Sequence, residues 1–212
     1  MKLSISQIKK FAKSPSQWAG QYILWIKDEF SSDAMDVGAA LHKYIQTWNM
    51  DTAYNCLVNV DDKEKAVEQL DILIENLQEF EIPKWEHELK CNGKLFWFDC
   101  MGYIDLLTED EVIDIKTVST LSKPDDKPWM WQKYNNYEEY KLQAYFYMIA
   151  TWRKKARILE LMKKEFKTKK VPWQWIVFTL QDEDIEKEVT EKWKPYVEQM
   201  YNIYNLYPDL KK

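Results

Sequence analysis

Asp105 and Asp114 flank an acidic turn, Thr108-Glu109-Asp110-Glu111, and Lys116 follows two positions after the second aspartate. The runs on either side, Tyr103–Leu107 and Val112–Ile115, are apolar, and two such runs around a polar turn predict a β-hairpin. With residue 107 facing residue 112, Asp105 falls directly opposite Asp114. Opposed residues of an antiparallel pair stand about 4.5–5.5 Å apart, and like charges there destabilise the pair. A cation in the gap resolves the conflict, and a hard divalent ion held by carboxylate oxygens suits it. Strand side chains alternate between faces. Asp114 and Lys116 therefore share a face with Asp105, while Ile104, Leu106, Ile113 and Ile115 point the other way, into a core. A solvated hairpin with ordinary surface charges contains the same residue types, so the flanking segments decide between the two readings.

Gly38-Ala39-Ala40-Leu41-His42 stands before the hairpin and Gln143-Ala144-Tyr145-Phe146-Tyr147 after it. The chain opens with Leu3-Ser4-Ile5-Ser6-Gln7-Ile8, then Phe11 and Ser14-Pro15. Taken with Asp105…Asp114-Ile115-Lys116, these strings resemble the PD-(D/E)XK nuclease superfamily, and its RecB-like branch in particular. No single string is specific; their order is, over roughly residues 3 to 150.

The resemblance implies a restriction-endonuclease-like α/β (α+β) fold, in which helices flank a central mixed sheet with an antiparallel hairpin core. It implies a divalent-metal-dependent deoxyribonuclease. His42, Asp105, Asp114 and the Ile115 carbonyl would hold Mg²⁺ or Mn²⁺, a histidine ligand favouring Mn²⁺ somewhat. Lys116 would orient the attacking water and stabilise charge on the phosphate, with Gln143 and Tyr147 contacting DNA or bracing the lysine. Exonuclease action at DNA ends, in recombination, repair or the processing of phage or mobile-element DNA, is the implied function. A sequence- or structure-specific endonuclease on the same core, and a catalytically silent DNA-binding subunit, are the alternatives. DNA, single-stranded or with free ends, is the implied partner. No G-x-x-x-x-G-K-[ST] loop occurs, so a helicase or recombination protein would be a separate chain. Several members of the branch hold an iron–sulfur cluster through one cysteine before an N-terminal proline and three near the C-terminus. Here Ser14 precedes Pro15 and no cysteine follows Cys100, so no four-thiolate cluster is expected.

At 212 residues, the chain suits one domain over 1–212, with a helical N-terminal segment to about residue 80 and a C-terminal helix. No apolar run approaches a membrane span, and the first residues lack the apolar core of a secretory signal. An intracellular, cytoplasmic protein is expected. Cys56, Cys91 and Cys100 are odd in number and lack C-x-x-C spacing, so they read as reduced thiols. The net charge of −5 argues against a chain coated for nonspecific nucleic-acid binding. Arg153 to Lys170, however, has nine basic and two acidic residues, which is either a phosphate-gripping patch or a solvated helix face.

Ser4 or Ser6 caps a predicted first helix through Lys13, ended by Ser14-Pro15. Further helices are expected over Ser16–Ile26, Asp36–Trp48 and Asp61–Phe80, where apolar residues recur at the helical period. Residues 82–91 alternate as a strand. Asn92-Gly93 is a strong two-residue turn, which registers Glu88 opposite Trp97 and Glu86 opposite Asp99. Branch members often have a Glu on this strand, matching Glu86 or Glu88. In that register Glu86 lies roughly 20 Å from the level of Asp105, so both are substrate-side residues only. Residues 118–136 read as a loop whose Trp129 and Trp131 either stack on bases or pack down. Tyr137–Leu161 reads as helix, Trp173–Leu180 as a strand, and Asp182–Tyr204 as an amphipathic helix interrupted at Pro195.

Overall fold

A computed structural model of the chain describes residues 2–26, 33–57, 60–80, 86–122, 136–163, 171–181 and 183–206. Strand β1 (Leu3–Ser4) leads into helix α1 (Ile5–Lys13). The Ser4 hydroxyl accepts from the Gln7 amide at 3.1 Å, and the Gln7 side chain accepts from the Ser4 amide at 2.9 Å. This reciprocal box satisfies two amides that a helix start otherwise leaves unpaired. Ser14 caps α2 (Pro15–Tyr22), with Pro15 in its first turn, where no amide is needed. Next come α3 (Asp33–Thr47), α4 (Met50–Tyr54) and α5 (Lys63–Gln78). Strands β2 (Glu86–Leu95), β3 (Phe98–Leu107) and β4 (Glu111–Val118) precede α6 (Tyr137–Thr151). Strands β5 (Lys155–Met162) and β6 (Trp173–Thr179) and helix α7 (Glu183–Leu206) complete the described chain.

The six described strands form one mixed sheet in the order β1-β3-β4-β5-β6, with β2 also paired to β3. β4 and β5 run parallel, and both are buried along most of their length, as a parallel pair covered on both faces requires. Neighbouring strand residues divide between two apolar clusters. Val112 and Ile158 pack with α1, α2, α6 and α7 residues such as Phe11, Trp18, Phe146 and Val197. Ile113 and Leu159 pack with α3 and α5 residues such as Leu41, Ile45, Leu70 and Leu73. The sheet is therefore sandwiched between two helical layers, as the α/β expectation requires. No helix among the described residues is long and apolar enough to cross a membrane.

Four expectations need correction. The β2–β3 turn lies at Phe96-Trp97, with φ of 51° and 73°, while Asn92 and Gly93 pair with Met101 and Cys100 inside the ladder. Gly93 serves helix packing instead: a Cβ there would lie 3.0 Å from the Ala150 methyl. Second, α6 stops at Thr151, and Trp152 adopts a left-handed conformation. Residues 155–162 form a central strand whose apolar side chains are buried on both faces. Such a strand lacks the period-two alternation that separates strand from helix in sequence.

Third, Ile104 packs in the α6-side cluster, apart from Leu106, Ile113 and Ile115 on the α3–α5 side. The strand therefore breaks its alternation between residues 104 and 106. Fourth, α7 continues through Pro195, because Trp193, Val197 and Met200 on either side are buried in one cluster. Within the basic run, Lys155 pairs with Glu111 at 3.1 Å, and Arg157 pairs with Glu111 while lying 4.5 Å above the Trp175 ring. These cations are committed to structure. Residues 164–170, Trp129 and Trp131 lie outside the described residues.

Candidate active site

β3 pairs with β4 only through Leu106–Ile113 and Leu107–Val112. Further back it pairs in parallel with β1, through Cys100 and Met101. The predicted hairpin register holds, yet the ladder stops one residue short of Asp105 and Asp114. Residues 102–105 thus border a fork between β1 and β4. Side chains replace the missing ladder bonds: the Ile115 amide donates to Asp105 Oδ2 at 2.7 Å, and the Tyr147 hydroxyl donates to the Tyr103 carbonyl at 2.5 Å. A buried peptide group left without a partner would cost about 1–3 kcal/mol, so these contacts keep the fork open without that loss.

On its other edge β3 pairs with β2, with Glu86 opposite Leu107, His87 opposite Leu106 and Leu89 opposite Ile104. Glu88 has no ladder partner and a φ of 46°. It stands at the level of Asp105, which corrects the register expected from Asn92-Gly93 and places Glu88 far nearer the aspartate than predicted. This irregularity coincides with the break in alternation around Asp105. No residue is inserted there: Glu88 and Asp105, one on each strand, both drop out of the ladder.

Two helices close over the fork. On α3, Gly38 lies one turn before His42, and a Cβ there would meet Thr117 Oγ1 at 2.9 Å. Its absence lets α3 approach β4, and His42 Nδ1 then lies 3.1 Å from Asp105 Oδ1. On α6, Gln143 Nε2 donates to Asp114 Oδ1 at 2.9 Å and to the Tyr147 hydroxyl at 3.0 Å. Tyr147 in turn lies against Gly102, where a Cβ would fall 2.5 Å from its ring. Lys116 Nζ is 2.6 Å from Asp114 Oδ2.

His42, Asp105, Asp114, Lys116, Gln143 and Tyr147 thus form one connected cluster. Ile115 joins it through its amide. The backbone of Glu86 pairs with Leu107, two residues beyond the level of Asp105.

The charges in the cluster compensate one another. Burial acts to raise the Asp105 carboxyl, but His42, Lys116 and the Ile115 amide hold it down at about 2. Burial lifts Asp114 to about 6 despite Lys116, with Asp105 pushing the same way. Burial opposes the charge on His42, yet the Asp105 carboxylate raises it above its ordinary value. Lys116 is likewise raised: burial works against its charge and the two aspartates outweigh it.

Asp105 and Asp114 are therefore held by His42 and Lys116 where the sequence placed opposed carboxylates needing a cation. Among the described residues, no three His, Cys, Asp or Glu side chains gather into a ready metal shell. The donors nevertheless fit a hard divalent ion in kind. They are two carboxylates and an imidazole, and the buried Asp114 Oδ2 already has a cation against it, the Lys116 ammonium at 2.6 Å.

Two groups, one half-buried and one fully buried, escaped the sequence reading. Lys9 of α1 donates to Gln143 Oε1 at 2.9 Å; burial, reinforced by nearby Lys116, lowers it to about 8. Its signal was present, since Lys9 follows buried Ile5 by four residues and so interrupts the apolar stripe of α1. Glu160, fully buried and in register with Lys116, accepts from the Ser122 amide at 2.8 Å, the Ser122 hydroxyl at 2.7 Å and Gln174 at 2.6 Å. It pins the segment that follows β4. Cys91 and Cys100 are core residues whose thiols burial pushes up to about 11 and about 12.

No curated protein sequence matches the chain. Among solved structures, a crystal structure from Eubacterium rectale described as "Putative exonuclease" is similar over 92% of this chain and 80% of its own. Its TM-score is 0.70 at 14% identity, so the two share a fold. A second structure, SSO0001, covers 87% of this chain and 82% of its own at 13% identity, with a TM-score of 0.33. The family model of the PD-(D/E)XK nuclease superfamily matches residues 2–205, and the chain belongs to that superfamily.

Proposed function

We propose that the protein is a divalent-metal-dependent deoxyribonuclease that hydrolyses phosphodiester bonds at DNA ends. The observation that carries this reading is the single part-buried cluster that joins His42 of α3 to Asp105, Asp114 and Lys116 of the strands and to Gln143 of α6. Asp105, Asp114 and His42, with the Ile115 carbonyl, would hold Mg²⁺ or Mn²⁺. Such an ion supplies Lewis-acid activation of the phosphate and of the attacking water.

The remaining chemistry belongs to the chain. Lys116, held beside Asp114, orients the nucleophilic water and meets the charge that grows on the phosphate. Gln143 fixes the Asp114 carboxylate, and Tyr147 fixes Gln143 and the backbone of β3. Glu88, at the level of Asp105, and Glu86 beyond it flank the substrate side. An end-directed mode is supported by the word exonuclease in the description of the similar Eubacterium rectale structure. Any strand-separating motor or recombination protein would be a separate partner.

The test uses end-labelled linear DNA and closed circular DNA, single- and double-stranded, with Mn²⁺, Mg²⁺ or chelator. Metal-dependent loss of linear DNA with circles intact is expected. Lys116→Ala should lower the rate on the order of 10²–10³-fold, the usual cost of removing one electrostatic stabiliser. Cut circles would replace the end-directed mode with an endonuclease, and full activity in Lys116→Ala would remove Lys116 from the chemistry.

A further inference from the structure

Resting on that reading, we propose that Lys9 is a phosphate-binding residue of the same cleft, contacting a non-bridging oxygen of the DNA backbone beside the site of Lys116. Three observations carry this. Lys9 belongs to α1, the helix that begins where β1 ends, and β1 forms the arm of the fork opposite β4. Its ammonium touches Gln143, which holds Asp114, so it lies one side chain away from the acidic pair.

Among the described residues, it also has no carboxylate within ion-pair distance. The acids whose fields reach it, Asp114 and Glu139, are engaged by Lys116 and Lys13, each at 2.6 Å. A half-buried lysine beside a second lysine and without its own counter-ion is costly. An ammonium has three donors, and Gln143 Oε1 accepts one of them. The backbone phosphate of a bound strand supplies the missing negative charge and further acceptor oxygens.

Lys9 also orients Gln143. A lysine cannot accept a hydrogen bond, so the oxygen of the Gln143 amide must face it and the nitrogen must face Asp114 and Tyr147. That effect alone is structural and requires no DNA contact, and the experiment separates the two. Binding of a labelled single-stranded oligonucleotide is measured by fluorescence anisotropy in chelator across a salt series. The proteins compared are the wild type, Lys9→Met, Lys9→Gln and Lys9→Arg.

Each phosphate contact to a single strand contributes about 0.7 to the slope of log K against log salt. The slope is expected to fall by about 0.7 in both Lys9→Met and Lys9→Gln and to stay at the wild-type value in Lys9→Arg. Lys9→Gln keeps an amide donor for Gln143 without the charge, so it carries the test if Lys9→Met fails to fold. An unchanged slope in the neutral variants, whatever their cleavage rate, would overturn the phosphate contact and leave Lys9 as a brace for Gln143. Wild-type protein without affinity for DNA would remove the parent reading and this one together.

Discussion

At the scale of single residues, burial and partner choice decide what each ionisable group can do. Asp105 and Asp114 are chemically identical, but His42 and the Ile115 amide serve one and Gln143 and Lys116 the other. Their carboxyls are driven apart, to about 2 and about 6. Lys9 shows the same physics with opposite sign. Its folded-state value of about 8 lies below the ordinary 10.5. Between those pH values the unfolded chain binds more protons than the folded one, so folding stability rises with pH across that window.

Below about pH 8 the full cost of the buried charge is present. Relative to the wild type, Lys9→Met should therefore be more favoured near pH 7 than near pH 10. The difference should shrink by on the order of 1–2 kcal/mol, allowing for the partial exposure of Lys9. Urea denaturation of both proteins at several pH values gives the comparison. A difference that stays constant with pH would mean that the lysine is charged or solvated alike in both states.

At the scale of elements, packing overrode local turn chemistry. Asn92-Gly93 is a better two-residue turn than Phe96-Trp97 on intrinsic grounds, yet the chain turns at the latter pair. Both glycines of the hairpin are consumed by helix α6: Gly93 against Ala150 and Gly102 against Tyr147. Nothing local signals that use, and it moved the register that positions Glu86 and Glu88.

The β3–β4 register was legible because two apolar runs and one short turn admit a single alignment. The start of α1 was legible because Ser4 is one of two serines able to cap it, whereas Ser14, expected only to end α1, also caps α2. Strand β5 was not, since a strand buried on both faces has no alternation to read. His42, Gln143 and Tyr147 were found through motif order, whereas Lys9, part of no motif, was missed.

Gly102→Ala tests the role of the glycine directly. Tyr147 is buried and tied to both Gln143 and Tyr103, so its ring cannot move aside cheaply. The added methyl should cost about 1–3 kcal/mol and lower the melting temperature by roughly 3–10 °C for a chain of this size. Tyr147→Leu removes the ring atom that the methyl meets. The double variant should therefore lose less than the sum of the single losses, a coupling that residues in contact show and distant ones do not. Simple additivity would place the strain elsewhere.

At the scale of the whole molecule, the candidate site lies on the seam between two cores. α3 and α5 pack on one face of the sheet and α1, α6 and α7 on the other. His42 comes from the first layer, Gln143 and Lys9 from the second, and the aspartates from the strands between them. A ligand gripping His42 and both aspartates would therefore bind only where α3 is docked on the sheet and Gln143 of α6 holds Asp114, and its binding energy would add to the stability of the entire fold rather than of one loop.

In the absence of metal, Lys116 and His42 lie against the acids at 2.6 and 3.1 Å, so a divalent ion must displace both contacts. Net affinity is then modest, and the linkage is still measurable. At a hundredfold excess over its dissociation constant, an ion binding only the folded state contributes about 2.7 kcal/mol, or roughly 5–10 °C in melting temperature for a domain of this length. Mn²⁺ should therefore raise the unfolding temperature in a single cooperative transition, and chelator should reverse the gain. Asp105→Asn, which removes a carboxylate but retains an acceptor for the Ile115 amide, should abolish it. Differential scanning fluorimetry across a Mn²⁺ titration measures this without any DNA. A melting temperature indifferent to Mn²⁺ would mean that the acids remain paired with Lys116 and His42, and the metal-dependent reading of the site would fail before any substrate is added.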